Sequence, residues 1–326
     1  MPKTSGFDKF ITRKKGSVIK EEARQEKRRV KKAKSDAIEL RRQRPSHRDV
    51  RAEGSPAASG TGPYARPQIL RTQKAEEKMP LNKYIAHCGV CSRRDAAAIV
   101  RDGKVKVNGT PVLEPGYKMT ETDSVTVNGK KVFPARNLVY ILLNKPKDCI
   151  TTASDTHGRK TVLDIVRNAS PERIFPVGRL DRNTTGVLLL TNDGELAQKL
   201  SHPSYEVRKT YEVRLDKPLS KADFEKILAG VTLEDGPVQV DALAHPEAKD
   251  RSIVGIEIHS GRNRIVRRLF EALGYDVLNL DRVVFANLTK KNVDRGKWRF
   301  LQEKEVRLLK FLNKSFIRKA RPDASL

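Results

Sequence analysis

From Met79 the chain carries apolar residues at a helical period. Leu81, Tyr84, Ile85 and Cys88 fall at i, i+3, i+4 and i+7, one face of a helix that Gly89 can stop. Ser92 with Asp95 three residues on has capping-box spacing; Ala96, Ile99 and Val100 then form a second apolar stripe, ended by Gly103. The period next drops to two. Val105 and Val107 alternate into Asn108-Gly109, and Val125 and Val127 into Asn128-Gly129, the dipeptides best suited to a two-residue hairpin turn. Two helices and a small sheet are expected over 79–133.

Beyond Leu138 the runs lengthen. LVYILLNKP is apolar without alternation until Pro146 stops it, which predicts a strand buried on both faces; Val187–Leu190, Tyr211–Leu215 and Ile253–Ile258 predict three more. Helices separate them. Leu196, Ala197 and Leu200 mark one after Asn192-Asp193-Gly194, and Phe224, Ile227 and Leu228 mark another, opened by Ser220 with Asp223 at capping-box spacing. A third is expected over about 262–273, with Val266, Leu269, Phe270 and Leu273 on one side and Arg264, Arg267 and Arg268 on the other, at roughly 100° per residue. Strands and helices without regular βαβ alternation predict an α+β fold: a small α/β domain, then a larger one whose mainly antiparallel sheet is flanked by helices.

Charge changes the picture most at the N-terminus. Residues 1–78 hold 22 Lys and Arg against 10 Asp and Glu, with almost no apolar periodicity, and GSPAASGTGPYARPQ at 54–68 has linker composition. Such a segment buries too little surface to offset its ordering entropy, so 1–78 is expected to be a disordered basic extension. The expected organisation is then 79–135 as a small domain, 136–316 as a catalytic domain and 317–326 as a frayed tail. The whole chain, with 66 Lys and Arg against 40 Asp and Glu, carries +26, which points to a polyanionic partner, nucleic acid first. No apolar run approaches the roughly 18 residues that span a bilayer, so no membrane partner is expected. Asp8, Glu21, Glu22 and Glu26 interrupt the basic leader, unlike an import signal, and three cysteines do not suit a disulfide framework. A cytoplasmic protein is expected.

Several chemistries lack support. GxxxxGK[ST], a GxGxxG after a strand and HExxH do not occur. Cys88 and Cys91 form a C-x₂-C, but Cys149 and His87, the other candidate ligands, stand at unsuitable spacing, so no metal is expected. The most informative segment is GRLDRNTTGVLLLTNDG at 178–194, a polar loop bracketed by Gly178 and Gly186 that runs into a buried strand. Asp181 stands between Arg179 and Arg182, so its carboxylate should stay ionised beside an anionic ligand. A structural turn, its Asp capping a helix or pairing with an arginine, is the alternative.

This segment resembles the catalytic motif of the pseudouridine synthases, specifically the bacterial branch of the RsuA and RluB type that modifies ribosomal RNA. Further blocks resemble the family in the same order: LNKPKD at 143–148 with Thr151-Thr152, RKTYEV at 208–213, GRNRIVRRLF at 261–270 and LNLDRVVFANL at 278–288. Ile265 departs from it, standing where the family has Gln. LNKYIAHCGVCSRRDA and VKVNG, within 81–133, resemble the small RNA-binding domain of the S-four type. The likeness covers about 79–310.

The resemblance implies isomerisation of a specific uridine in ribosomal RNA, 23S rather than 16S, to pseudouridine. Asp181 would be the essential aspartate, Tyr211 would stack on the uracil, Arg267 would pair with Asp181, and Arg179 would fill the space left by the extruded nucleotide or hold its phosphate. No cofactor is implied, because the atoms of uridine are only rearranged. Physical chemistry supports these roles: a base inside folded RNA must be flipped out at a few kcal/mol and stacked, and an arginine keeps a desolvated carboxylate charged without competing for protons. Lys83, Arg93, Arg94, Lys104 and Lys106 give the small domain a basic face, and Arg264 and Arg268 extend it on the catalytic domain, for phosphates that position RNA without reading sequence. A monomer acting on ribosomal RNA, free or within assembling particles, is the implied form. A non-catalytic ribosome-assembly factor on the same fold is the alternative, and the intact Asp181, Tyr211 and Arg267 set favours the enzyme. A nucleoside hydrolase would need a second acid that the loop lacks.

Overall fold

The computed structural model describes residues 78–120, 122–135, 137–247 and 249–319. The basic extension expected over 1–78 lies, up to residue 77, outside the described residues, as does the tail expected over 317–326 from residue 320 on. In the first part, β1 (Met79–Pro80), α1 (Leu81–His87) and α2 (Arg93–Arg101) precede β2 (Val105–Val107), β3 (Thr110–Pro111), β4 (Lys118–Met119), β5 (Val125–Val127) and β6 (Lys130–Val132). Four of these strands pair in the order β3-β2-β5-β6, and β4 pairs with β1. Ser92 and Asp95 form the full capping box that opens α2. Asn108 and Asn128 take φ of 52° and 49°, and the glycines after them are also positive, so both tight turns have the backbone that Asn-Gly favours. Leu81, Ile85, Ala96, Val100 and the inward valines of β2 and β5 close one small core.

The second part runs through β7 (Tyr140–Lys145), α3 (Val162–Ile165), β8 (Phe175–Pro176), β9 (Thr185–Thr191), α4 (Gly194–Ser201), β10 (Lys209–Leu215), α5 (Lys221–Ala229), β11 (Val231–Leu233), β12 (Gly236–Val238), β13 (Ala242–Ala244), β14 (Ile253–Ile258), α6 (Ile265–Glu271), β15 (Val277–Phe285), β16 (Leu288–Thr289), β17 (Trp298–Phe300) and α7 (Glu303–Lys319). Nine strands build one sheet in the order β13-β14-β10-β15-β9-β7-β17, with β8 on β9 and β16 on β15. Its pairs are antiparallel except for β9 with β15. The fold is therefore α+β with a mostly antiparallel sheet, as the patterns predict.

Helices cover both faces of this sheet, which explains the uninterrupted apolar runs. Successive strand residues point to opposite sides. Leu188 and Leu190 of β9 join a core with residues of α3, α5 and α6, while Val187 and Leu189 join a second core with Leu196, Ala197 and Leu200 of α4 and Leu309 of α7. Among the described residues no helix is long and apolar enough to cross a membrane.

Two local expectations are corrected. The helix expected from 262 starts at Ile265, because Arg264 takes a left-handed φ of 47°. At α5 the Ser220 hydroxyl accepts from Asp223 N–H, but the Ser220 N–H donates to the Tyr275 hydroxyl at 3.2 Å, so only half the capping box forms. At the other end, α7 runs to Lys319.

Candidate active site

The loop that enters β9 is held from inside. Lys145, at the end of the apolar run of β7, is completely buried. Its ammonium donates to the carbonyls of Pro146, Asp181, Arg182 and Thr184 at 2.9–3.1 Å. Thr151 Oγ1 adds a bond to Leu180 O at 2.9 Å, and Gly178, at φ 73°, turns the chain into the loop. One buried ammonium thus ties up the backbone of the segment that presents Asp181. Burial pushes Lys145 down to about 8, against which four carbonyl acceptors favour the charged form.

The Asp181 side chain, half-buried, has no hydrogen bond or ion pair among the described residues. Its neighbour Arg182 pairs instead with Asp148. The carboxylate lines a cavity of about 840 Å³, shared by the end of α4, the start of β10, β12, the 259–264 loop and β15. That volume lies within the roughly 300–1,000 Å³ of small-molecule sites. Arg179, Lys209, Arg262, Arg264 and Arg282 line the same cavity, in which Asp181 is the one acidic wall residue among the described residues. Tyr211, 8% exposed, is both wall and core: it lines the cavity while packing in the larger hydrophobic cluster.

Other predicted residues are placed differently. Arg267 does not form an ion pair with Asp181; its Nη1 donates to Val277 O at 2.7 Å. Burial pushes its guanidinium down from the ordinary value, and the negative Asp181 acts on it through space in the opposite sense. Arg268 reaches Asp235 Oδ2 at 2.9 Å, and Arg262 spans the backbone of the β11–β12 turn, to Asp235 O at 2.8 Å and Pro237 O at 2.7 Å. Together these arginines pin that hairpin to the cavity wall and hold the Asp235 carboxyl below its usual range. Arg264 pairs with Glu271 at 3.3 Å. In the small domain Arg93, Arg94 and Lys106 are exposed, Lys104 pairs with Asp102 at 3.0 Å, and Lys83 lies 3.8 Å from Glu195.

Lys145, Lys209 and Arg282 were missed as site residues. For Lys145 a signal existed, a cation closing an apolar run, whereas Lys209 and Arg282 stand on strands of mixed polarity; once buried, each such cation demands a partner. Lys209 satisfies this through Val207 O and His259 O, both at 2.7 Å, and burial pushes it down to about 8, with Arg282 beside it adding to the effect. Replacing Lys145 with Met should lower stability by about 2 kcal/mol or more in urea unfolding, because buried carbonyls lose their donor. Turnover should fall further than RNA affinity, as the Asp181 loop loosens. Unchanged unfolding midpoint and turnover would show that the loop does not depend on this clamp.

The family model for RNA pseudouridylate synthase matches residues 139–272, and that for the S4 domain matches 79–125. Ribosomal large subunit pseudouridine synthase B of Bacillus subtilis is 46% identical over 235 residues, covering 71% of this chain and 96% of that protein. The protein of the same name from Pseudomonas aeruginosa is 36% identical, covering 70% of this chain and 61% of its own. A solved structure described as a pseudouridylate synthase superimposes with a TM-score of 0.52 at 28% identity, covering 71% of this chain and 99% of that one.

Proposed function

The chain belongs to the RNA pseudouridine synthase family, isomerases that carry an S4 domain in this branch, and we propose that it converts one uridine of large-subunit (23S) ribosomal RNA to pseudouridine with Asp181 as the reacting carboxylate. The observation that carries this reading is a carboxylate without an internal partner, on a loop clamped by Lys145, facing a cation-lined cavity floored by Tyr211.

The chemistry follows from the bonds exchanged. The C1′–N1 glycosidic bond breaks, a C1′–C5 bond forms, the hydrogen at C5 leaves as a proton and N1 gains one. Nothing is oxidised or reduced. A uridine in folded RNA must first leave its stack, at a few kcal/mol, to bring C1′ and C5 to Asp181. Tyr211 replaces part of the lost stacking. Arg267, close enough to act on Asp181 through space, keeps the carboxylate ionised as the bound base excludes water. Arg179, exposed at the mouth, meets a flanking phosphate or the gap that the nucleotide leaves.

The division of labour places RNA docking on residues 79–135 through Lys83, Arg93, Arg94, Lys104 and Lys106, and isomerisation on 136–316. The basic residues of 1–78 add phosphate contacts whose affinity falls with salt. The protein acts as a cytoplasmic monomer on ribosomal RNA.

Tyr211→Phe is expected to keep RNA affinity, whereas Tyr211→Leu should lose roughly 1–3 kcal/mol of it by filter binding, the range for base–aromatic stacking. Equal affinity of the Leu variant and the wild type would confine Tyr211 to the core. The substrate class is tested with transcripts of both ribosomal RNAs, mapping pseudouridine by carbodiimide-dependent stops in reverse transcription. Product in the 23S transcript is expected; product confined to the 16S transcript would overturn the large-subunit reading.

A further inference from the structure

Arg282 is a charged side chain of the cavity that no role above explains. It stands on β15, across from Tyr211 of β10 and in register with Gly186 of β9, where the strands that carry the site meet. It is 3% exposed. At that depth a guanidinium is expected to have its donors paired. Nε donates to Val187 O at 2.8 Å, and the guanidinium stacks on Phe285 with Cζ 4.5 Å from the ring centroid. Among the described residues no carboxylate pairs with it, and Nη2 is buried without a hydrogen-bond partner.

What lies nearest is informative. Arg282 lines the same cavity as Asp181 and Tyr211. Tyr211 is its cross-strand partner on β10, so the two side chains sit side by side on the cavity wall, and burial pushes the guanidinium down from its ordinary value. Lys209, the adjacent cation, has its ammonium held by two carbonyls. Stability does not account for the arginine, since a buried ionic group replaced by an apolar chain of similar volume is often neutral or stabilising.

We propose that Arg282 is a positioning residue of the isomerisation that acts through Tyr211: when uridine fills the cavity, the unpartnered Nη2 donates to the phenol oxygen, fixing the ring in the cavity floor and turning the hydroxyl proton toward the bound uracil. A phenol oxygen both donates and accepts. With its accepting side taken by the guanidinium, its own O–H must point elsewhere, and the cavity is what lies on its open side. The inference rests on the reading of Asp181 and Tyr211 given above.

The test uses the full-length protein and a 23S transcript labelled with [5-³H]uridine, from which the leaving C5 hydrogen is counted as released tritium. Single-turnover rate and RNA affinity are measured for Arg282→Met, Arg282→Lys, Tyr211→Phe, Asp181→Asn and the double variant Arg282→Met with Tyr211→Phe. Arg282→Met should lose about 100-fold in rate while affinity changes less than about 3-fold, an interaction felt in the reaction rather than in binding. Arg282→Lys should recover part of the rate, and the double variant should fall no further than Tyr211→Phe alone, since the two residues form one unit. A wild-type rate in Arg282→Met, additive losses in the double variant, or failure of both Arg282 variants to fold would each overturn the proposal, the last by making Arg282 a residue of the core alone. Release by the wild type but not by Asp181→Asn shows that the underlying reading stands whatever Arg282 does. No release by the wild type would overturn that reading and the inference with it.

Discussion

Asp181→Asn is expected to lower isomerisation by at least about 10³-fold while leaving RNA affinity within a few-fold, the signature of a group used in the reaction and not in binding. The amide keeps the shape of the carboxylate and removes its charge and nucleophilicity. Because the Asp181 side chain makes no hydrogen bond or ion pair among the described residues, and the loop is held through its backbone by Lys145, the substitution should leave the fold intact. Melting within about 0.5 kcal/mol of the wild type is expected, as for residues without structural partners. Retained turnover would remove Asp181 from the chemistry. A large fall in stability would instead return it to the structural turn weighed from the sequence.

Gly186→Ala should have the largest effect on stability. Gly186 pairs with Arg282 where β9 runs parallel to β15, at φ 108°, and a Cβ there would lie 2.1 Å from Arg282 O, 2.6 Å from Asp281 Oδ1 and 2.7 Å from Arg282 N. Two of these atoms are backbone and cannot swing away. Asp281 is itself fixed by Arg295 at 3.0 Å and by Thr185 at 2.9 Å. The strands must separate to admit the methyl group, adding overpacking to a conformation that L side chains rarely adopt, for a loss of about 3 kcal/mol or more. Urea unfolding measures this. A midpoint close to the wild type would show that β9 and β15 can part without harm.

The candidate catalytic loop was legible because its features are local. Gly178 and Gly186 bracket it, a buried strand follows, and Asp181 is the acid between two arginines. The short hairpins were legible for a similar reason, since Asn108-Gly109 and Asn128-Gly129 encode their own backbone. What the sequence concealed is set by strand pairing across long separations. β15 reads as mixed polarity because Asp281 and Arg282 interrupt its apolar residues, yet both are buried, one in an ion-pair network and the other under the cavity. The three-residue strands β11, β12 and β17 are too short for periodicity to reveal. Arg267 was expected to touch Asp181 from the sequence likeness alone; the structure gives its nearest bond to Val277 O, a contact between α6 and β15 that helical spacing does not encode.

Whether this chain makes pseudouridine in large-subunit ribosomal RNA through Asp181 is decided in cells. Pseudouridines in 23S and 16S RNA are mapped at nucleotide resolution in a strain lacking the gene, complemented with the wild type or with Asp181→Asn. One 23S position is expected to lose its carbodiimide-dependent stop in the deletion strain, regain it with the wild type and stay unmodified with Asp181→Asn expressed at equal level. An unchanged map in the deletion strain, or a stop restored equally by both proteins, would contradict it.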